Sequence, residues 1–188
     1  DVPVAIKVVH GRGNIDRLLL EPELLSRLSH PGIVSLLDYF LDGSDLVVVM
    51  SFVEGDNLDA VLQQEGTMSP LAVRGMLIQL AQALRHAHGQ QVLHLDIKLS
   101  NIMATAHGSG RRFVLTDFGI SRLSQGIQTS KQTAGTWVFM APEQLRGRPA
   151  RQSDLWSLGV VAFRLLTGEY PFYGSNLEEL TNAVLYRE

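Results

Sequence analysis

The chain has 188 residues, 45% of them hydrophobic and 19% charged, the balance of one globular domain rather than a disordered segment; a chain of this size can bury roughly 70% of its unfolded surface. Sixteen Lys and Arg against nineteen Asp and Glu leave a formal charge of −3, so bulk electrostatics supply no general attraction to nucleic acid or anionic lipid. The absence of cysteine removes disulfides, thiol nucleophiles and thiolate metal sites together, and six histidines are too scattered for a metal cluster.

The chain opens without Met in the strand-like VPVAIKVV, as though excised from something longer, and it shows no signal-peptide layout. Val4 to Val9 is β-rich and bounded by Gly11 and Gly13, hence a strand. From about Asn14 to Leu28 leucines recur at helical spacing until HPG stops them. Apolar runs at 34–41 and 46–53 flank Asp42-Gly43 and read as an antiparallel pair. The second run, LVVVMSFV, is the longest apolar stretch and falls well short of the ~20 residues that span a bilayer. A soluble, cytoplasmic protein with no membrane segment in this stretch is the expectation.

After EGDN the character changes. Leu58 to Glu65 reads as a short helix closed by Gly66, and Ser69-Pro70 supplies an N-cap and first-turn proline for a long one. Leu77, Leu80, Ala81, Leu84 and His88 keep one face of that helix apolar until Gly89 ends it. Ser153 is expected to cap another helix running to Gly168, nearly apolar from Leu155 to Leu166 and so expected to be buried. Residues 177–187 look like the start of one more. No repeat or low-complexity tract interrupts this plan of a small sheet-rich lobe, a short connector and a larger helical lobe. The cleft between such lobes is the expected ligand site.

Two polar clusters fall where that cleft should lie. HLDIKLSN, 94–101, fits neither a strand nor a helix, because Asp96, Lys98 and Asn101 crowd into six positions. A loop pinned by Leu93, Ile97 and Ile102 would let all three face one point. There the Asp can orient a hydroxyl and take its proton, the Lys can neutralise phosphate charge, and the Asn oxygen can ligate a hard metal ion. An ordinary polar turn, with His94 a satisfied core histidine, is the competing reading. In LTDFGI, 115–120, Asp117 follows an apolar strand. Alone it is an unremarkable turn residue; beside Asn101 it becomes the second oxygen ligand that Mg²⁺ needs.

At this point the chain resembles the protein kinases, specifically the eukaryotic-type Ser/Thr catalytic domain, truncated at both ends. VAIK (4–7), HLDIKLSN, DFG (117–119), APE (141–143) and SDLWSLGV (153–160) occur in the family's order across nearly the whole chain. The resemblance implies an α+β, two-lobed fold: a single kinase domain fragment over 1–188, with 1–50 a partial N-lobe, 51–57 the hinge and 58–188 a partial C-lobe. It implies that Asp96 is the catalytic base, that Lys98 assists, that Asn101 and Asp117 hold Mg²⁺, and that Lys7 contacts the α and β phosphates of ATP.

Lys7 then needs a carboxylate on the first helix. At ~100° per residue, Glu21 lies on the stripe of Leu18, Leu24, Leu25 and Leu28, whereas Glu23 lies opposite with Arg27 four residues on as a local partner. Glu21 is therefore assigned to Lys7, with a helix-surface residue as the alternative. Pro22 breaks a backbone bond, so the helix is either kinked there or regular only from there. The family pattern further implies Ala5 and Met103 as walls for the adenine, backbone groups of Ser51 and Val53 as its partners, and Met50 at the back of the pocket. Asn57, or Asp56, could reach the ribose, although Asn57 also suffices as a helix N-cap. Lys98 and Thr136, the latter expected to help dock substrate, resemble the Ser/Thr-specific branch. The expected partner is a protein with a Ser or Thr acceptor, and no nucleic acid; oligomeric state is not indicated. Ser121, Ser124, Thr129, Ser130 and Thr133 are candidate phosphorylation sites, the last three foremost.

Three departures qualify the resemblance. Leu95 stands where many kinases carry an Arg that pairs with a phosphorylated activation segment, so activity is expected to depend little on that modification. Set against the family pattern, the chain begins at the third strand, so the glycine-rich phosphate loop is expected to be missing, and GRG at 11–13, which follows Lys7, cannot replace it. The end at Glu188 is expected to omit the family's last helices, including the Arg that would pair with Glu143, so that carboxylate is expected to be left unpaired, and the fragment alone is expected to bind ATP weakly and to be poorly stable. An ATP-dependent Ser/Thr kinase is the leading expectation. A catalytically silent kinase-like scaffold and a small-molecule phosphotransferase are the alternatives; GTWVFMAPEQL, which looks like a peptide-docking segment, speaks against the latter.

Overall fold

A computed structural model describes residues 2–10, 19, 22–108, 110–118 and 134–186. Strands β1 (Val4–Val9), β2 (Leu36–Asp42) and β3 (Asp45–Ser51) form an antiparallel sheet in the order β1-β3-β2. The β2–β3 hairpin pairs Asp42 with Asp45, and Gly43 at φ 61° supplies the left-handed backbone that so tight a turn requires. Burial alternates along β1, so Ala5, Lys7 and Val9 share the half-buried face while Val4, Ile6 and Val8 are exposed. Before β2 a helical turn at 22–25 presents Leu24, Leu25 and Leu28 to the core, with Glu23 exposed. Ser26 N–H donates to Pro22 O at 2.9 Å, so Pro22 heads an intact turn. Glu21, Leu18 and the Glu21–Lys7 pairing lie outside the described residues.

No Glu23–Arg27 ion pair forms among the described residues. From Arg27 the backbone bonds tighten to i→i−3, Arg27 N–H reaching Leu24 O, and the stacking of an i,i+4 pair is lost.

A short strand β4 (Asp56–Asn57) leads into helix α1 (Leu58–Glu65), and α2 (Pro70–Gly89) follows. The caps form as expected: Asn57 Oδ1 accepts from Ala60 N–H at 2.9 Å, Ser69 Oγ accepts from Ala72 N–H at 3.3 Å, and Gly66 closes α1. The buried face of α2 runs through Val73, Met76, Leu80, Ala83, Leu84, Ala87 and His88. Ala81 is exposed, because the stripe follows the 3.6-residue period through Leu80 and Leu84. A 3₁₀ turn, Leu99–Asn101, and the hairpin β5 (Ile102–His107) and β6 (Gly110–Leu115) lie beneath the cleft, with β4 completing a second sheet in the order β4-β5-β6.

Helices α3 (Ala134–Trp137), α4 (Pro142–Leu145), α5 (Arg151–Thr167) and α6 (Leu177–Tyr186) complete the larger lobe. Ser153 is not the cap of α5. The helix starts at Arg151, and Ser153, one turn in, accepts from Ala150 N–H at 3.1 Å and donates to Glu143 Oε1 at 2.7 Å. Its hydroxyl reaches back over the helix start, and it gives Glu143 the partner that the sequence did not reveal. Nor is α5 buried all round: Leu158, Val161 and Leu165 are enclosed, but Leu155 is 53% exposed and Phe163 40%, because the core covers one side of the helix. No helix among the described residues is long and apolar enough to cross a membrane.

Candidate functional site

HLDIKLSN is a loop ending in the 3₁₀ turn, anchored by Leu95, Ile97, Leu99 and Ile102, none more than 5% exposed. Burying these apolar side chains turns the intervening Asp96 and Lys98 toward the cleft. Lys98 Nζ sits 3.3 Å from Asp96 Oδ2 and 3.4 Å from Thr136 Oγ1. Asn101 Nδ2 donates to Asp96 O at 2.9 Å and to Asp96 Oδ2 at 3.0 Å. That fixes the amide so that its Oδ1, which accepts only a long bond from Ser100 Oγ at 3.5 Å, keeps a lone pair for a hard cation.

The second cluster is tied to the first through the backbone. Thr116 N–H donates to Asn101 O at 3.0 Å, and the next residue, Asp117, pairs through Oδ1 with Lys7 Nζ at 3.2 Å. Asp117 adopts φ 53° and Leu95 φ 60°, a left-handed backbone unusual for such residues and of the kind that persists where surroundings enforce it. One carboxylate and one amide oxygen in this arrangement suit Mg²⁺, which takes its remaining ligands from water and phosphate. Among the described residues no three His, Cys, Asp or Glu side chains gather to hold a metal by themselves.

His94 joins the two clusters. Fully enclosed, it accepts Asp96 N–H on Nδ1 at 3.3 Å and faces Thr116 O from Nε2 at 3.0 Å. A backbone N–H only donates and a carbonyl only accepts, so the ring is neutral with its proton on Nε2. Burial lowers its pKa against the opposing pull of Asp154, Asp96, the Thr116 carbonyl and Asp117. The ring also packs on Phe118, centroids 4.4 Å apart. The reading of His94 as a satisfied core histidine and the reading of the loop as a site are therefore compatible.

Residues that the sequence left without a role support the loop from below. Asp154, fully buried in the first turn of α5, accepts from His94 N–H at 3.0 Å, Leu95 N–H at 2.8 Å and His88 Nε2 at 2.7 Å. Gln144 Nε2 donates to Leu95 O at 2.9 Å. The available signal was an acidic residue heading an apolar helix, where burial demands partners.

The remaining candidates differ in how far their groups are committed within the fold. Ala5 lies opposite Met50 in the β1–β3 register and shares the face of Lys7. Ser51 N–H is committed to Ser35 O at 2.9 Å and its Oγ accepts Ser35 N–H at 3.1 Å, so of its backbone groups only the carbonyl is left for a base. Val53 is half-buried on the connector, and Met103 lies opposite Asn57. Asn57 Oδ1 serves α1, which leaves its Nδ2 for any ligand. Thr136 is buried against Lys98. Thr129, Ser130 and Thr133, with Ser121 and Ser124, lie outside the described residues.

The model of the protein kinase domain matches residues 1–187, and the chain belongs to that family. Its relatives include serine/threonine-protein kinase PkaA of Streptomyces coelicolor, 35% identical over 98% of this chain, serine/threonine-protein kinase PknA of Nostoc sp., 42% identical over 83%, and human myosin light chain kinase family member 4, 31% identical over 97%. The chain spans 36%, 29% and 48% of these proteins respectively. A crystal structure of Rad53 in complex with AMP-PNP matches with a TM-score of 0.82 at 29% identity, over 97% of this chain and 46% of that one. The α+β fold, with a sheet lobe and a helical lobe, is thus that of a protein kinase.

Proposed function

We propose that this chain is the catalytic domain of an ATP-dependent protein serine/threonine kinase, with 1–50, 51–57 and 58–188 as sheet lobe, hinge and helical lobe. One observation carries the reading: the Lys7–Asp117 pair and the Lys98–Asp96–Asn101 cluster are joined through Thr116, so cation, carboxylates and amide share one crevice. In this reading Lys7 grips the α and β phosphates of ATP. Asp96 orients the incoming Ser or Thr hydroxyl and accepts its proton as the new O–P bond forms and the bond to the ADP oxygen breaks. Lys98, held between Asp96 and Thr136, offsets charge on the transferred phosphoryl group. Asn101 and Asp117 are the residues that would hold Mg²⁺, which when bound supplies charge neutralisation between the phosphates. The Rad53 structure with AMP-PNP supports a nucleotide in this cleft.

The test is full-length protein with Mg²⁺, labelled ATP and a generic Ser/Thr protein substrate, alongside Asp96→Asn. The variant is expected to lose ~10²- to 10⁴-fold in rate while still binding nucleotide. A variant as active as wild type refutes the role of Asp96, and wild type that binds without turnover supports the scaffold instead.

A further inference from the structure

We propose that His30 and His86 form a proton-sensitive clasp that positions the end of β6, and through it Asp117. The loop after the 22–25 turn lies on α2, where the His86 imidazole fastens it, while the His30 imidazole braces the loop from within. His30 Nδ1 accepts Gly32 N–H at 3.0 Å, and His86 Nε2, from α2, accepts Ser29 N–H at 3.2 Å. The ring centroids are 5.5 Å apart. There is little slack: a Cβ at Gly32 would meet both Ala83 Cβ and His30 Nδ1 at 3.2 Å.

The same loop holds the strand that leads into the site. Leu115 N–H donates to Gly32 O at 2.9 Å, and Val34 N–H donates to Leu115 O at 2.9 Å. Gly32 is thus bonded on one side to a titratable ring and on the other to a residue two positions before Asp117.

Both rings act as acceptors, which only neutral imidazole can do; imidazolium has two donors and no acceptor. Protonating either ring breaks its bond to the loop, and two cations at this separation repel. Arg85 on α2 adds to that repulsion, and burial, His86 and Arg85 together lower the His30 pKa. On the other side of His30 a cavity of about 570 Å³ brings Glu54 of the connector and Arg112 of β6, one charge of each sign. The clasp is therefore closed while both rings are neutral and opens when a proton takes either acceptor nitrogen. Its effect on the nucleotide rests on the reading of Asp117 given above.

The test uses full-length protein, with Mg·ATP affinity by calorimetry and amide exchange at Gly32 and Leu115, both from pH 7.5 to 5.5. The comparison is His30→Asn/His86→Gln. Asn at 30 can accept Gly32 N–H as an Asx turn, and Gln at 86 retains an acceptor, yet neither titrates. Wild type is expected to lose about tenfold more affinity than the variant on acidification, the equivalent of about one net hydrogen bond, and to lose protection at Gly32 and Leu115 that the variant keeps. His30→Asn alone should behave midway, and serves if the double variant does not fold. Equal pH dependence in wild type and variant overturns the clasp, as does protection that changes while affinity does not. Wild type that binds no Mg·ATP at pH 7.5 instead defeats the nucleotide reading, and the exchange rates still decide whether the clasp exists.

Discussion

Asp117 combines a left-handed backbone with an ion pair to Lys7, and the two facts have different energetic weights. The Lys7 and Asp117 side chains are 34% and 46% exposed, so solvent screens the pair and its contribution to stability is within about 1 kcal/mol. In the proposed kinase, its importance lies in placing a cation where the phosphates of ATP would bind. Lys7→Met should therefore leave the thermal midpoint nearly unchanged while weakening Mg·ATP binding by about tenfold or more, the scale of one lost charge-assisted contact; calorimetry and melting curves check both halves. Leu95 makes a second residue-level point. Its N–H and C=O are held by Asp154 and Gln144, and its side chain is buried, so the position is fixed without a guanidinium and offers none to a phosphate. Phosphatase treatment of pure full-length enzyme is expected to change its rate by no more than about twofold. A large fall in rate would contradict this reading of Leu95.

At the scale of elements, α5 supports the 94–101 loop from beneath. Asp154 satisfies three donors at once, so Asp154→Ala strands two backbone N–H groups and the His88 ring. The expected loss is about 3–5 kcal/mol, the range for removing one partner of a buried charged network, measurable as a lower urea midpoint; Asp154→Asn keeps one acceptor oxygen and should lose less. The long helix α2 contributes through packing, and Leu84→Ala, at a site only 1% exposed, should lose about 2–5 kcal/mol. Element types were legible from local chemistry: the β-rich run of β1 bounded by glycines, the capping residues Asn57 and Ser69, the glycine after α1. Ser153 was misplaced because Ser is at home both as a cap and one turn inside a helix, and only the fold supplied Glu143 as its second partner. The inward stripe on α2 was displaced at Ala81 because alanine is too small to signal its own burial.

For the whole molecule, pH acts through the enclosed histidine between the two clusters. His94 is neutral in the fold and its pKa is lowered, whereas in the unfolded chain it protonates near its ordinary value of about 6.5. Its contribution to stability is complete above that value and is lost as pH falls below it toward the depressed folded pKa, since the unfolded state there binds the extra proton. Melting curves should give a lower midpoint at pH 5.5 than at pH 7.5, and an unchanged or higher midpoint would contradict the neutral, buried ring. By itself the sequence determined the class of fold and the identity of the polar residues that meet, because strand and helix periods, caps and the crowding of Asp96, Lys98 and Asn101 are local properties of neighbouring residues. Only the tertiary structure decided that Thr116 and His94 couple those residues to Asp117, that Asp154 carries the loop, and that His30 and His86 hold the strand end. These are contacts between side chains and backbone groups far apart along the chain, and their distances follow from packing that no single segment encodes.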